Sequence, residues 1–358
     1  MFSCDEYDQD VFVDRPVALA KIRNWADDDT AQKRVMQVIA PPGGGKTWLL
    51  KKLEKEWESR FVIFINIPSL VHLDEREDLN RLINSEACEA WFQNIQEAAT
   101  SRYSITPISE IPNISAILSA FVRQICYKRP NKAVIVLADG YDELTESQAD
   151  VFSARILQPL YERDCIRLII AHRPERLVKG DAIRRDLPNP PLYLHQFDPP
   201  SRDFAFEQFE NLIRKSGSRS TTDPSKWMNE LQHYQWNHPL ANCYFFKRGL
   251  ETNWKQLTDA DFQECCKVII ERSNGNGRSR FSLRPDGFKT LHYIAKELPD
   301  QWSQTDVEAL LKINNFYLDE IVQNLFDVGS IINVSPVPPL YQICDGLCEL
   351  LREINQIL

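Results

Sequence analysis

Apolar runs alternate with helical patterns over the first 198 residues of the chain. Four runs rich in Val and Ile predict buried strands at 34–39, 61–67, 133–138 and 166–171, and residues 192–194 are a candidate fifth strand. Between them, a helix is predicted in each of three segments, at 47–58, 113–128 and 146–161. Unbroken apolar strands separated by helices are typical of a parallel sheet with both faces covered.

The pattern becomes mainly helical after residue 198. Helices are predicted at 202–215, 224–235, 239–250 and 259–271, and a stretch rich in Gly, Ser and Asn at 273–280 predicts a linker or hairpin loop. Three more helices, at 286–297, 304–312 and 315–326, precede a short strand at 331–334, a Pro-rich turn and a last helix. Three helices with a small β-wing predict a winged helix. We therefore expect three domains, at 1–198, 199–272 and 273–358.

The first strand leads into a glycine-rich loop, Ala40-Pro41-Pro42-Gly43-Gly44-Gly45-Lys46-Thr47. Its three glycines let the backbone approach an anion without a Cβ clash, and the following helix directs its N-terminus at that anion. Lys46 is predicted to reach the β- and γ-phosphates of a nucleotide, and Thr47 to ligate Mg²⁺. The segment therefore predicts a P-loop.

This loop departs from the usual G-x-x-x-x-G-K-[ST] pattern at one position, where Ala40 replaces the first glycine. A Gly-rich surface turn is the alternative, but the preceding strand and following helix favour the P-loop. The residues of this segment that we predict to bind the nucleotide are Pro42, Gly43, Gly44, Gly45, Lys46, Thr47 and Trp48.

The strand at 133–138 runs directly into an acidic segment, Asp139-Gly140-Tyr141-Asp142-Glu143. A buried strand that ends in a carboxylate is the Walker B arrangement, and Asp139 is predicted to hold Mg²⁺. Acids beside it can position or deprotonate the attacking water, and we rank Asp142 first and Glu143 second for that role. A solvated acidic turn is the alternative, and the P-loop upstream argues against it.

The D-G-x-D-E form of this acidic segment resembles the NACHT branch of the STAND NTPases, the nucleotide-switch ATPases of immune receptors and related signalling proteins. The resemblance covers residues from about 11 to about 350. It implies an α/β P-loop NTPase domain followed by a helical domain and a winged-helix domain. It also implies ATP or ADP with Mg²⁺ as ligands, slow hydrolysis, and an ATP form that assembles into oligomers.

Three further segments are similar to parts of that family. Phe12 to Pro16 resembles a segment that contacts the base, which implies that Arg15 binds nucleotide. Arg173 follows the fourth strand and matches a sensor arginine that contacts the γ-phosphate; a surface arginine is the alternative. Pro239, in His238-Pro239-Leu240, matches a proline that packs on adenine, and the alternative is a proline that starts a helix.

The family's winged helix carries a Met-His-Asp motif that clamps ADP. The matching place here is Ile343-Cys344-Asp345, so the histidine is replaced by Cys344. Because the histidine is absent, the resemblance does not imply an ADP-locked resting state for this protein. A helix cap is the alternative role of Asp345.

Composition excludes several classes of protein. The 358 residues are 43% hydrophobic with a net charge of −9, which is ordinary for a globular protein and argues against a surface built for nucleic acid or an anionic membrane. The nine cysteines have neither disulfide nor zinc spacing, which favours free thiols in a reducing compartment. The N-terminus does not resemble a signal peptide, and no apolar run approaches the ~18 residues of a membrane span. We expect a cytoplasmic protein with no membrane partner.

Two other functions are weighed against a nucleotide switch. A winged helix can bind DNA, but residues 272–358 carry eight Lys and Arg against eleven Asp and Glu, and the segment NFYLDEIVQNL has no cation. Nucleic acid is therefore not expected as a partner. A small-molecule kinase with the same loop is disfavoured by the two domains after the sheet. The N-K-x-D signature of guanine binding is missing, which favours ATP.

The function favoured by the sequence is an ATP-hydrolysing molecular switch in signal transduction, and its link to defence is implied by the resemblance alone. Family members usually add a sensor of repeats and an effector, which this sequence does not show. We expect these parts either in a longer chain or as separately encoded partner proteins, with a homo-oligomer as the other possible assembly. The alternative is a nucleotide-dependent DNA-binding regulator that uses the winged helix.

Overall fold

The structure, a computed structural model, describes residues 8–13, 15–28, 33–40, 43–72, 81–108, 113–128, 133–161, 163–173, 183, 192–194, 202–216, 239–252, 258–272, 285–313, 325, 331–336, 339–343 and 347–354. Contacts divide the chain into two compact units. The first unit comprises residues 15–40 and 46–198, and the second comprises residues 199–358 with 1–14 and 41–45.

A five-stranded parallel sheet forms the centre of the first unit. Its strands are β1 (Val35–Ile39), β2 (Val62–Asn66), β3 (Val134–Asp139), β4 (Ile166–His172) and β5 (Leu192–Tyr193). They lie in the order β2-β3-β4-β1-β5, and every neighbouring pair is parallel. Because these strands are parallel, the glycine loop after β1, the acidic turn after β3 and the end of β4 lie at the same edge of the sheet. The end of β4 lies between the other two, since β4 lies between β1 and β3.

Helices flank this sheet. They are α1 (Pro16–Asp27), α2 (Lys46–Glu56), the short α3 (Ile67–Leu70), α4 (Ser85–Tyr103), α5 (Ile114–Lys128), α6 (Glu146–Phe152) and α7 (Gln158–Tyr161). A π-helical turn, Ser153–Leu157, joins α6 to α7, and a 3₁₀ turn, Tyr141–Glu143, follows β3. The predicted helix at 146–161 is therefore present, with a wider turn in its middle.

Both faces of the sheet are buried. Alternate residues of β3 and β4, such as Val136 and Leu168, belong to a core shared with α4, α5, the π-helical turn and α7. The intervening residues, such as Leu137 and Ile169, are equally buried. Buried leucines of α2, which are not part of that core, pack against β3 and β4. Burial on both faces explains why these strands lack polar alternation.

The sequence analysis missed three helices of this unit, the long α1 and α4 and the short α3. The inward positions of α4 include Cys88, Phe92 and Ala99, which recur at helical spacing. Cys and Ala contribute a weak apolar signal, so the pattern is hard to recognise before the packing is known. Asn84 caps this helix by accepting a hydrogen bond from the Ala87 N–H at 3.1 Å.

The second unit is mainly helical. Its helices are α8 (Arg202–Ser216), α9 (Pro239–Thr252), α10 (Asp259–Arg272), α11 (Pro285–Glu297), α12 (Gln304–Ile313) and α13 (Leu347–Glu353). Its strands β6 (Trp302–Ser303), β7 (Ile331–Pro336) and β8 (Pro339–Ile343) form an antiparallel sheet in the order β6-β8-β7. The sequence analysis missed β6 and β8; in β8 a proline occupies the first position, where a strand tolerates it. The helices predicted at 224–235 and 315–326 lie outside the described residues, apart from Leu325.

One pair of cysteines corrects the expectation of free thiols. Cys126 and Cys165 are joined as a disulfide, with their Cα atoms 6.1 Å apart. Their separation of 39 positions along the chain gives no spacing signal. Within the described part of the chain, the cysteines that form no disulfide are Cys88, Cys243, Cys265, Cys266 and Cys348. None of the helices described has both the length and the apolar character needed to cross a membrane.

The aromatic centre of the first unit gives a test of the fold. Phe121 of α5 is fully buried between Phe61 and Phe92, with ring centroids 6.1 and 5.2 Å away. We expect Phe121→Ala to lower the free energy of unfolding by about 3–5 kcal/mol, because it leaves a cavity that the sheet cannot close. Tyr127→Ala on the same helix, whose side chain is 85% exposed, is the control and should change it by less than about 0.5 kcal/mol. Urea unfolding measures both; equal effects would contradict this packing.

Candidate functional site

The glycine loop has the backbone conformation that only glycine adopts readily. Gly43 and Gly45 have φ angles of 68° and 91°, in the left-handed region. Helix α2 begins at Lys46, directly after the last glycine, so its unpaired N–H groups follow the loop. Pro42 lies outside the described residues. The loop thus has the local structure expected of a phosphate-binding loop.

Lys46 reaches back across the loop to the end of β1. Its Nζ donates a hydrogen bond to the carbonyl oxygen of Ala40 at 2.9 Å. Ala40 in turn donates its N–H to the carbonyl oxygen of His172 at 3.3 Å, which extends the pairing of β1 with β4 by one residue. The ammonium group is therefore held at the carboxyl edge of the sheet, beside the acidic residues that follow β3.

Thr47 and Asp139 meet through a hydrogen bond between the hydroxyl and the carboxylate. Burial raises the pKa of Asp139, although this bond and the nearby Lys46 ammonium oppose the rise. In the described part of the chain, no three His, Cys, Asp or Glu side chains are arranged as a metal cage. A hydroxyl beside one carboxylate suits Mg²⁺, which takes one or two protein oxygens together with phosphates and water.

Asp142 and Arg173 form a buried ion pair. The Nε atom of Arg173 lies 2.6 Å from Oδ2 of Asp142, and both side chains are less than a tenth exposed. The Nε–H is not aligned as a hydrogen bond, so the attraction is mainly one of charge. Burial alone would raise the pKa of Asp142, but Lys46 and Arg173 outweigh burial and lower it. Asp142 is therefore a stable carboxylate with a cation already in contact.

Glu143 has a different environment from Asp142. Its Oε2 atom is buried and has no hydrogen-bond partner. Burial, followed by the negative charge of Asp142, raises the pKa of Glu143 to about 7, against the weaker opposing effect of Arg173. A carboxyl group with a pKa near neutrality can take up and release a proton under physiological conditions.

Two residues that the sequence analysis did not single out shape this acidic turn. Gly140 has a φ angle of 79°, and a Cβ atom there would lie 2.6 Å from Cδ of Pro68 on α3, so only glycine fits. The Tyr141 hydroxyl shares a buried hydrogen bond of 2.9 Å with the Ser153 hydroxyl in the π-helical turn. A glycine directly after the strand-ending carboxylate was the only sequence signal for either.

The remaining predicted residues are distributed over both units. Arg15 is buried just before α1, and Trp48 is half-buried in α2. Pro239 belongs to the second unit, where it begins α9 and its carbonyl oxygen accepts a hydrogen bond from the Gln208 side chain at 3.2 Å. Cys344 and Asp345, at the place of the Met-His-Asp motif, lie outside the described residues.

Comparison with known proteins identifies the fold. The sequence matches no protein-family model and no curated protein. Among solved structures, the Walker-type ATPase PABY2304 of Pyrococcus abyssi is similar with a TM-score of 0.56 and 14% identity, over 97% of this chain and 98% of that one. The chain has the fold of a P-loop NTPase, with the glycine loop after β1 and the acidic turn after β3.

Two further structures align over nearly the whole chain with lower scores. Cdc6p from Pyrobaculum aerophilum has a TM-score of 0.40 at 12% identity, over 99% of this chain and 98% of that one. The Orc1 protein of Aeropyrum pernix, solved in complex with DNA, has a TM-score of 0.44 at 14% identity, over 98% and 95%. The fold by itself does not separate the NACHT branch from other P-loop NTPases.

The raised pKa of Glu143 predicts a pH dependence of stability. Because the folded protein holds a proton up to about pH 7 that the unfolded chain releases near 4.5, the free energy of unfolding should fall as the pH rises between these values. Without nucleotide or Mg²⁺, Glu143→Gln should remove roughly 3 kcal/mol of this fall. Urea unfolding of both proteins from about pH 5 to about pH 8 measures the difference.

Glu97→Gln is the control for this pH experiment. Glu97 is exposed on α4, and its replacement should leave the wild-type pH profile unchanged. If the profiles of wild type and Glu143→Gln run parallel, Glu143 does not titrate in this range and its assigned environment is wrong.

Proposed function

We propose that this protein binds ATP with Mg²⁺ and hydrolyses it slowly, as a nucleotide-controlled molecular switch. The observation that carries the proposal is the meeting of Lys46, Thr47, Asp139, Asp142 and Arg173 at one edge of the sheet. This set provides a cation for phosphates, oxygen ligands for a metal, and a second cation close to the carboxylates.

Each residue of the set has a role in this proposal. Lys46 gives up its hydrogen bond to the Ala40 carbonyl oxygen and binds the β- and γ-phosphates. Phosphate oxygens are stronger acceptors than a carbonyl oxygen because they are charged. Thr47 and Asp139 would hold Mg²⁺, which when bound neutralises phosphate charge and orients the phosphates. A dication beside Asp139 favours its ionised form, so metal binding offsets the effect of burial on its pKa. Arg173 contacts the γ-phosphate.

The acid that receives the proton of the attacking water is Glu143 in this proposal. Asp142 ranked first on sequence, but its carboxylate is paired with Arg173 and its pKa is lowered, which makes it a weak base. Glu143 has an unpaired buried oxygen and a pKa of about 7. A base of that strength is suited to proton transfer at neutral pH. Asp142 then serves to hold Arg173.

The assignment to the STAND class and its NACHT branch rests on the sequence resemblance. In support, the second unit has helices α8, α9 and α10, followed by the order α11-β6-α12 and the β7-β8 hairpin, in keeping with a helical domain and a winged helix. Arg15 and Pro239 are assigned to the adenine base by the same resemblance. The nucleotide state controls assembly with further copies of this chain or with separately encoded sensor and effector proteins.

The nucleotide carried by the purified protein is the first test. Wild type should retain or bind adenine nucleotide, and Lys46→Ala should bind at least about tenfold more weakly because a charged contact to phosphate is lost. Glu143→Gln should still bind ATP but hydrolyse it about 10²–10⁴-fold more slowly. Isothermal titration and single-turnover hydrolysis measure the two effects.

Lys52→Ala is the matched control for Lys46→Ala. Lys52 lies on the same helix and pairs with Glu56 at 3.4 Å, so its loss should leave nucleotide binding unchanged. The proposal fails if wild type carries no nucleotide and binds none on addition. If Glu143→Gln hydrolyses ATP at the wild-type rate, binding stands but the assigned base is wrong.

DNA binding controlled by nucleotide is the second candidate. The order α11-β6-α12-β7-β8 of the second unit, which would suit a winged helix, favours it, while the net negative charge of residues 272–358 opposes it. Binding through many phosphate contacts would weaken by about 10³-fold or more between roughly 50 and 200 mM salt. We expect no binding of duplex DNA with this salt dependence. Fluorescence anisotropy with a labelled duplex, in ATP and in ADP, measures it; a steep salt dependence would favour the second candidate.

A further inference from the structure

His172 is the last residue of β4 and directly precedes Arg173 of the candidate nucleotide site. It is the last residue of β4 paired with β1, so Arg173 is the first residue beyond that ladder. The carbonyl oxygen of Arg173 lies 2.7 Å from Nδ1 of His172. The backbone at Arg173 is therefore held by a hydrogen bond to the His172 ring and not by pairing with β1.

A glutamine of β1 holds the other side of this ring. Nε2 of His172 lies 2.8 Å from the side-chain amide of Gln37. Gln37 is in register with Ile170, so it projects from the same face of the sheet as His172. Gln37 is also the one polar residue of β1, three positions before the glycine loop. This contact thus joins the strand that carries the loop to the strand that carries Arg173.

The hydrogen-bond roles in this chain of contacts are determined by chemistry. Burial lowers the pKa of His172 to about 4, so the ring is neutral and has one N–H. Nδ1 faces a carbonyl oxygen, which can only accept, so the proton is on Nδ1. Nε2 must then accept, and the Gln37 amide donates once it is turned so that its NH₂ group faces the ring. Every polar atom of the ring is satisfied in this arrangement.

We propose that His172, held by Gln37, is a positioning residue that fixes the backbone of Arg173 and thereby places the guanidinium beside Asp142 and the γ-phosphate. The inference rests on the proposed function, because it assigns to His172 the geometry of that site. A displacement of a charged group by about 1 Å can lower a rate by about 10²-fold. His172 makes no contact with the substrate in this proposal and acts only through Arg173.

Double-mutant kinetics distinguish this role from a general structural one. His172→Phe keeps a planar aromatic ring at this position and removes both hydrogen bonds. It should lower single-turnover ATP hydrolysis by about 10²-fold, with ADP affinity within a factor of about two. Its effect should vanish in the Arg173→Ala background, since there is no guanidinium left to place. His172→Asn, whose amide can replace the Nδ1 donor, should recover part of the rate.

His292→Phe is the matched control. His292 is also buried, and its Nε2 lies 2.8 Å from the carbonyl oxygen of Ile354 in the second unit. Its replacement should lower stability without changing the single-turnover rate of ATP hydrolysis or the affinity for ADP. If the effects of His172→Phe and Arg173→Ala multiply instead, or if His172→Phe hydrolyses ATP at the wild-type rate, the proposal is overturned.

A measurement without nucleotide keeps this inference separate from the proposed function. The Arg173 Nε–H resonance should exchange slowly with solvent in wild type and in His292→Phe, and rapidly in His172→Phe. If wild type binds no nucleotide, the proposed function fails, and this resonance alone decides whether His172 positions Arg173. If His172→Phe does not fold, Gln37→Leu breaks the same contact from β1 and should give the same changes. An unchanged resonance in either variant overturns the inference.

Discussion

Buried negative charge at the end of β3 is the constraint on which the rest of the site depends. Asp139, Asp142 and Glu143 follow one another within five residues, and water does not solvate them freely. Carboxylates in such a place need nearby cations or must take up protons. Lys46 and Arg173 supply two positive charges, and the pKa of Glu143 is raised to about 7. The three acids therefore have different properties although they belong to one short turn.

The strand order makes this balance possible. β4 lies between β1 and β3, so the residue that follows β4 emerges between the ends of those two strands. A cation at that position can pair with an acid of β3 while its backbone is tied to β1 through a side chain. β4 therefore both contributes to the core and places Arg173 between the ends of β1 and β3. A nucleotide phosphate entering such a site competes with contacts already present: Ala40 for Lys46, and Asp142 for Arg173.

Much of the first unit could be predicted from the sequence because its strands are buried on both faces. Continuous Val and Ile runs gave strand positions within one residue of those observed for β1 to β4. Weaker signals failed where the inward positions were Cys and Ala, as in α4, or where proline stood at the start of a strand, as in β8. The disulfide between Cys126 and Cys165 was not predictable, since only the packing of α5 beside the start of β4 brings the two together.

The sequence by itself determined the chemistry available at the site: a glycine loop with a lysine and a threonine, three acids after a buried strand, and an arginine after the next strand. These follow from local order along the chain, which sets what each strand carries at its carboxyl end. Only the tertiary structure decided which acid is paired with Arg173, which is left to titrate, and that His172 and Gln37 hold the arginine. Those outcomes depend on strand order and burial, and both arise from contacts between residues that are distant along the chain: Asp142 and Arg173 are 31 positions apart, and Gln37 and His172 are 135 apart.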